Sequence, residues 1–210
     1  MNEEDARAWV AHRYGEPAAH MLARFGDLVA QENRQQNLIA ASTIETMWTR
    51  HLLDSAQLVR FAPAAARRWI DVGTGAGFPG IVTAVLFAGQ TILVEPRARR
   101  VAFLREAVND LGLSGRVTVH HARVETLQAR TADVVTARAV AAIASLLDMT
   151  AHVTTSSTTF ILPRGRSGVH EVETLKGAWH GTFHVEHSLT DAASTIIIAS
   201  GVTRACSASR

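Results

Sequence analysis

Cysteine, lysine and tyrosine each occur once in this chain of 210 residues. Cys206 lies in a polar C-terminal stretch, so no intrachain disulfide can form. No apolar run reaches the roughly 18 residues of a membrane span, and Met1 to Asp5 is acidic, unlike the start of a secretory signal. A cytoplasmic location without a membrane partner is expected. No internal repeat and no low-complexity linker is present. His180, His184 and His187 alternate with Phe183 and Val185. The three do not share one strand face, and no cysteine or acid completes a ligand set, so no metal is expected. His120 and His121, at the end of a strand, read as packing or solvent groups.

What remains is an apolar, arginine-rich chain. Hydrophobic residues make up 47%, and the formal net charge is +2. Almost all the basic charge is arginine, Lys176 being the exception. Residues 1–60 carry more acids than arginines, and residues 61–120 the reverse. The length suggests one folded unit. We read residues 1–60 as a helical N-terminal extension, 61–200 as the core and 201–210 as a flexible tail. In the extension, Met21, Phe25, Leu28 and Val29 fall on one helical stripe, and a second helix spans Thr43 to Arg60, capped by Ser42 or Thr43. From Trp69 onward, strands alternate with helices. Strands are expected at 69–72, 91–95, 116–120, 132–136, 158–162, 181–187 and 194–200. Helices begin near Ile81, follow Glu95, carry Val140, Ile143, Leu146 and Leu147, and run from about Val169 to Lys176. This alternation predicts a mostly parallel sheet covered on both faces.

The most informative stretch is Trp69-Ile-Asp-Val-Gly-Thr-Gly-Ala-Gly-Phe-Pro-Gly80. An apolar strand runs into Gly73, Gly75 and Gly77 and then into a helix, the entry to a nucleotide-binding α/β unit. Glycines there let the backbone turn tightly and approach a ligand, and the helix start offers free N–H groups. The spacing is Gly-x-Gly-x-Gly and not the Gly-x-Gly-x-x-Gly of dinucleotide sites. It is similar to motif I of the S-adenosylmethionine (SAM) methyltransferases. Glu95 ends the next strand, 22 residues past Gly73, where an acid can hold ribose hydroxyls; capping of the following helix is the alternative. Gly73 to Gly77, Glu95, Arg123 to Glu125, Arg138 and Arg164 all fall at expected strand ends, where such sheets bind ligands. Arg97, Arg99, Arg100 and Arg105 form either a phosphate-binding patch or a solvated helix face. Arg50, His51, Asp54 and Ser55 adjoin on one helix face. They suit substrate contact or, with more weight, anchoring of the extension to the core.

In order along the chain, Arg50-His51-x-x-Asp54-Ser55, the glycine loop ending in Phe78-Pro79-Gly80, Arg99-Arg100-x-x-Phe103-Leu104, Arg123-Val124-Glu125 and Thr136-Ala137-Arg138-Ala139 resemble the bacterial RsmG family, also called glucose-inhibited division protein B. The resemblance spans roughly residues 25–200. It implies a Rossmann-like class I SAM-dependent methyltransferase with a mostly parallel seven-stranded sheet. It implies methyl transfer to N7 of a guanine in small-subunit (16S) ribosomal RNA, with that RNA or the small ribosomal subunit as partner and a monomeric enzyme. Cofactor contacts are implied at Gly73, Phe78, Val124, Glu125 and Arg138, with Gly75, Gly77 and Glu95 alongside. His51, Asp54 and Arg164 are candidates for positioning the substrate. The chain departs from the family pattern at Arg164-Gly165, where lysine-glycine is usual, at Val124 for alanine, at Pro96 for serine, and in a late strand without a basic residue. Arginine is a planar fork where lysine is a point charge.

The absence of an Asn-Pro-Pro-Tyr run or of a placed cysteine fits a target that loses no proton, as guanine N7 does. Three other readings stay open: a SAM-dependent enzyme with a different target, an RNA-binding protein with a relic SAM pocket, and an NAD-dependent oxidoreductase, which the glycine spacing disfavours.

Overall fold

The structure, a computed structural model, describes residues 1–205; Cys206 and the end of the expected tail lie outside them. Two antiparallel-packed helices open the chain, α1 (Glu3–Tyr14) and α2 (Glu16–Glu32). Asn2 caps α1 by accepting from the Asp5 N–H at 2.7 Å. Gly15 takes φ 90 at the junction, and Pro17 lies in the first turn of α2. The buried face of α2 is Ala19, Leu22, Phe25, Gly26 and Val29. This stripe is rotated from the expected one, leaving Met21 and Leu28 half-buried.

The single helix expected from Thr43 to Arg60 is instead a series of short turns. A 3-10 turn at Ala41–Thr43 is followed by a π-helical segment at Trp48–Leu53, a short α3 (Asp54–Ala56) and a 3-10 segment at Gln57–Phe61. The cause is a cap supplied from far away. Glu3 accepts from the N–H groups of Trp48 and Thr49 at 2.8 and 2.9 Å and from the Thr49 hydroxyl at 2.6 Å. The helical run therefore starts near Trp48, and neither Ser42 nor Thr43 caps it.

The sheet comprises β1 (Arg68–Val72), β2 (Gln90–Glu95), β3 (Val117–His121), β4 (Val134–Ala137), β5 (Thr159–Arg164), β6 (Trp179–His187) and β7 (Thr195–Arg204). Their order is β3-β2-β1-β4-β5-β7-β6. The first five are parallel, and β7 runs antiparallel to both β5 and β6. The order reverses between β1 and β4, which is where ligands settle in open α/β sheets. Between strands lie α4 (Gly80–Leu86), α5 (Ala98–Asp110), α6 (Ile143–Thr150) and α7 (Gly168–Glu173). Two expectations change. Val140 is not helical, since α6 begins at Ile143 and Ala139 before it takes φ 55. Residues 201–204 are not frayed: β7 continues to Arg204, whose guanidinium binds Asp148 at 2.6 Å and lies over Trp179.

One core packs Phe25, Val29 and Leu52 with Phe78, Ile81, Leu93 and Leu104. The N-terminal helices thus share a core with α4, α5 and one sheet face. The opposite face packs Val72, Val135 and Phe160 with Ile143 and Leu146 of α6.

Candidate functional site

Asp71 on β1 lies under the glycine loop and is fully buried. Trp69 Nε1 donates to Thr136 Oγ1 at 2.9 Å, and that hydroxyl donates to Asp71 Oδ1 at 2.6 Å. Oδ2 has no hydrogen-bond partner among the described residues. Burial outweighs the Thr136 and Thr74 hydroxyls and pushes the Asp71 carboxyl up to about 6. Above it, Gly73, Gly75 and Gly77 take φ of 65, 60 and 95, a region open to glycine and strained for other residues.

Glu95 is buried at the end of β2 and uses both oxygens on backbone. Oε2 accepts from the Gly75 N–H and Oε1 from the Arg97 N–H, each at 2.9 Å. Glu95 ties the residue before α5 to the glycine loop without capping that helix, and a carboxylate with two such bonds retains lone pairs for a hydroxyl.

Val124 and Glu125 follow β3 in a short turn. With Val72, Gly73, Val94, Pro96, Val140 and Met149 they line an apolar cleft of about 170 Å³. On the other side of Val140 opens a polar cleft of about 570 Å³, lined among others by Asp54, Arg138, Pro163, Arg164, Glu171 and Ser188. Val140 is a wall of both. A methyl of Val140 lies 2.6 Å from the place a Gly73 Cβ would take, so only glycine fits there.

The residues present fit SAM. The smaller cleft offers apolar walls to a purine, Glu125 on its lining offers an acceptor to hydroxyls, and Gly73 gives bare backbone at the junction of the clefts.

Phe78 joins the glycine loop to the N-terminal helices. Its buried ring packs on Phe25 at 5.1 Å and His51 at 4.9 Å, with Arg138 above it at 5.4 Å. His51 and Asp54 form an anchor. Arg138 reaches His51 Nδ1 and Asp54 Oδ2, each at 3.5 Å. Asp54 Oδ1 accepts from Thr190 Oγ1 at 2.8 Å and Gln57 Nε2 at 3.1 Å, and Gln57 Nε2 also donates to Ser188 Oγ at 3.0 Å. Burial first, then the Arg138 and Arg50 charges, lower His51 to about 4. Its ring is neutral near pH 7, with Nε2 paired to Thr43 Oγ1 at 2.8 Å.

Arg164 lines the polar cleft, and its side chain, only 7% exposed, also holds protein groups. Its guanidinium donates to the carbonyls of Ala137 and Ala141, each at 3.2 Å, and its Nε lies 3.4 Å from Glu171. Glu171 in turn accepts from the Ile143 N–H at 3.3 Å, capping α6, whose own N-cap Ala142 cannot. The pair holds the loop 138–142. Glu171, Val140, Ser188 and Thr190 were not singled out by sequence. A lone acid seven residues past Arg164 and hydroxyls in a late turn give no periodic or motif signal.

Asp71 and His51 oppose each other below neutrality. Asp71 binds its proton more tightly folded than unfolded, so its contribution raises stability as pH falls through about 6. His51 binds its proton less tightly folded, so its contribution is lost as pH falls from 6.5 through about 4. Asp71→Asn is expected to remove the first effect, and its melting temperature should fall more steeply with acid than wild type's. Parallel melting curves from pH 7 to pH 4 for the two proteins would refute this.

The fold is similar to those of solved methyltransferases. An O-methyltransferase from Bacillus cereus in complex with SAH aligns over 92% of this chain and 96% of its own, with a TM-score of 0.59 and 14% identity. A putative O-methyltransferase from Klebsiella pneumoniae aligns over 84% and 89%, with a TM-score of 0.56 and 19% identity. In sequence, the ribosomal RNA small subunit methyltransferase G of Rhizorhabdus wittichii is 42% identical over 204 residues, covering 96% of this chain and 94% of the relative. That of Sphingopyxis alaskensis is also 42% identical, covering 95% and 87%. Residues 18–195 match the family GidB, described as rRNA small subunit methyltransferase G. With both comparisons spanning nearly the whole site, the chain belongs to the GidB family of methyltransferases.

Proposed function

We propose that this protein transfers a methyl group from SAM to N7 of a guanine in small-subunit (16S) ribosomal RNA, acting as a monomer in the cytoplasm. The observation that carries this reading is the meeting of an apolar, purine-sized cleft and a larger polar cleft at Gly73 and Val140. The names of the GidB relatives support ribosomal RNA as the substrate.

SAM supplies an electrophilic methyl on a sulfonium; the N7 lone pair bonds to that carbon as the C–S pair returns to sulfur. Guanine N7 carries no proton, and the methylated base gains a positive charge. The protein therefore has to align the reactants and tolerate that charge. Val124, Met149 and the glycine loop serve the cofactor half. In the other half, the wall beside the base carries two ion pairs, Arg138 with Asp54 and Arg164 with Glu171, whose fixed dipoles orient the base. His51 is not a proton acceptor in this scheme, because its ring is held neutral between Thr43 and Arg138 with its pKa near 4.

Methylated guanines mapped in cellular small-subunit RNA with and without this protein should differ at one N7 position. Single-turnover transfer at saturating SAM and RNA should be nearly flat from neutral to mildly basic pH. His51→Ala and Asp54→Ala should weaken RNA positioning or stability without the ~10²–10⁴-fold chemical loss of a missing base. A steep pH dependence that vanishes in either variant, with both ligands still bound, would identify a base and remove the N7 assignment.

A further inference from the structure

The arginines of this chain divide by location. Away from the site several are engaged: Arg7 with Glu16, Arg24 with Asp110, and Arg204 with Asp148. At the amino ends of the strands, Arg67, Arg68 and Arg116 donate to backbone carbonyls of Ala66, Thr131 and Phe87. At the carboxyl ends the pattern changes. Arg97, Arg123 and Arg166 are exposed, and among the described residues their guanidinium groups have no hydrogen-bond or ion-pair partner. Each stands two residues beyond the end of a strand, after β2, β3 and β5 respectively. Arg100 joins them, with its guanidinium nitrogen 3.5 Å from the place a Gly75 Cβ would take. Arg34 comes to the same corner, because Arg99 donates to the Gln35 carbonyl at 3.0 Å and Gln36 donates to the Arg99 carbonyl at 3.2 Å.

We infer that Arg123, Arg97, Arg100 and Arg166, flanked by Arg34, form a track for the RNA backbone across the top of the sheet, passing over the glycine loop. The inference rests on the proposed RNA substrate and adds where its phosphates lie. Strand order sets the length. From β3 to β5 are four strand spacings of about 4.8 Å, so the row spans ~19 Å. It crosses the mouth of both clefts, and a backbone lying along it brings a splayed-out base over the polar cleft. Of the nearby acids, Glu125 is exposed beside Arg123, Asp191 feels the Arg166 charge while bonding the Ala193 N–H and the Ser194 hydroxyl, and two more are tied up. Glu95 is bound to two backbone N–H groups, and Glu171 is held by Arg164 and the Ile143 N–H. Free guanidinium groups with no internal acceptor are the form in which arginine binds phosphate.

The test measures affinity against salt for protein-free small-subunit ribosomal RNA and, in a second arm, the intact small ribosomal subunit. Arg97→Gln, Arg123→Gln and Arg166→Gln are compared singly and together. Each should lower the slope of log affinity on log salt by about 0.7, and the triple variant by ~2. Arg130→Gln is the control, because Arg130 is exposed and precedes β4, at the amino ends of the strands and away from the row. It should leave the slope unchanged. SAM affinity by calorimetry should stay within about twofold of wild type in Arg97→Gln and Arg166→Gln, separating RNA contact from damage to the cofactor site; Arg123 lines the smaller cleft and is judged by the salt slope alone. A triple variant with the wild-type slope, while wild type still methylates the RNA, overturns the track and leaves the proposed function standing. A wild-type protein that neither binds nor methylates RNA in either arm overturns both.

Discussion

Arg164→Ala should destabilise the protein by ~2–4 kcal/mol and weaken the binding of both ligands. The substitution leaves the Ala137 and Ala141 carbonyls without their donor and Glu171 without its cation in a nearly dry setting. The loop 138–142 then loses its fixed position, and Val140 with it, so both clefts lose a wall. Arg164→Lys should recover only part of the loss. An ammonium can reach one or two of these acceptors, but it lacks the fork that serves Ala137, Ala141 and Glu171 together. Denaturant unfolding and SAM calorimetry on the two variants check this. An Arg164→Ala protein with wild-type stability and SAM affinity, and with RNA binding alone lost, would show that the side chain reaches the RNA directly.

Two glycines separated by one residue in the same loop should fail in different ways. Gly75→Val meets little inside the protein, only the tip of Arg100 at 3.5 Å, though φ of 60 strains a branched residue. Its stability cost should be ~1–3 kcal/mol, whereas SAM affinity should fall by ~100-fold or more, an ~2.7 kcal/mol effect, because the side chain projects where backbone must approach the ligand. Gly77→Ala places its Cβ 2.6 Å from Phe25 Cζ and 2.8 Å from Ile81 Cγ1. It should cost ~2–4 kcal/mol by overpacking and backbone strain, prising α2 from the loop. Thermal unfolding and SAM titration of both proteins decide the matter. Equal loss of stability in the two, or unchanged SAM affinity in Gly75→Val, would mean that the loop does not divide its glycines between ligand and core.

The strands were legible because hydrophobic runs bounded by turn residues have few other uses, and β1 with its glycine loop carries a spacing that restricts the ligand class. Arg50, His51 and Asp54 were legible as a cluster, and their anchoring role followed from their position on one face. Three features could not be read. The helical run after Thr43 breaks up because its cap comes from Glu3, a partner 45 residues away from Trp48 that no local rule names. Arg164 was legible as a cation at a strand end; only the fold reveals that its guanidinium also holds the 138–142 loop. Val140 resembled the first core residue of α6, but Ala139 at φ 55 redirects the chain before that helix begins.

The hydrogen bonds that fix Asp54 also impose an order of assembly. Its partners Ser188 and Thr190 lie 134 and 136 residues downstream. Gln57 bonds to the same turn, taking Ser188 through its amide nitrogen and the Leu189 N–H through its oxygen. During synthesis, the N-terminal helices and the first five strands emerge before that turn exists, so one wall of the polar cleft is completed last. Closing so long a loop slows folding far more than it weakens the finished state, since the entropy of closure grows only with the logarithm of length. The polar cleft therefore takes its final shape only after residues 188–190 have emerged, and a nascent protein cannot hold a target base there before that turn exists.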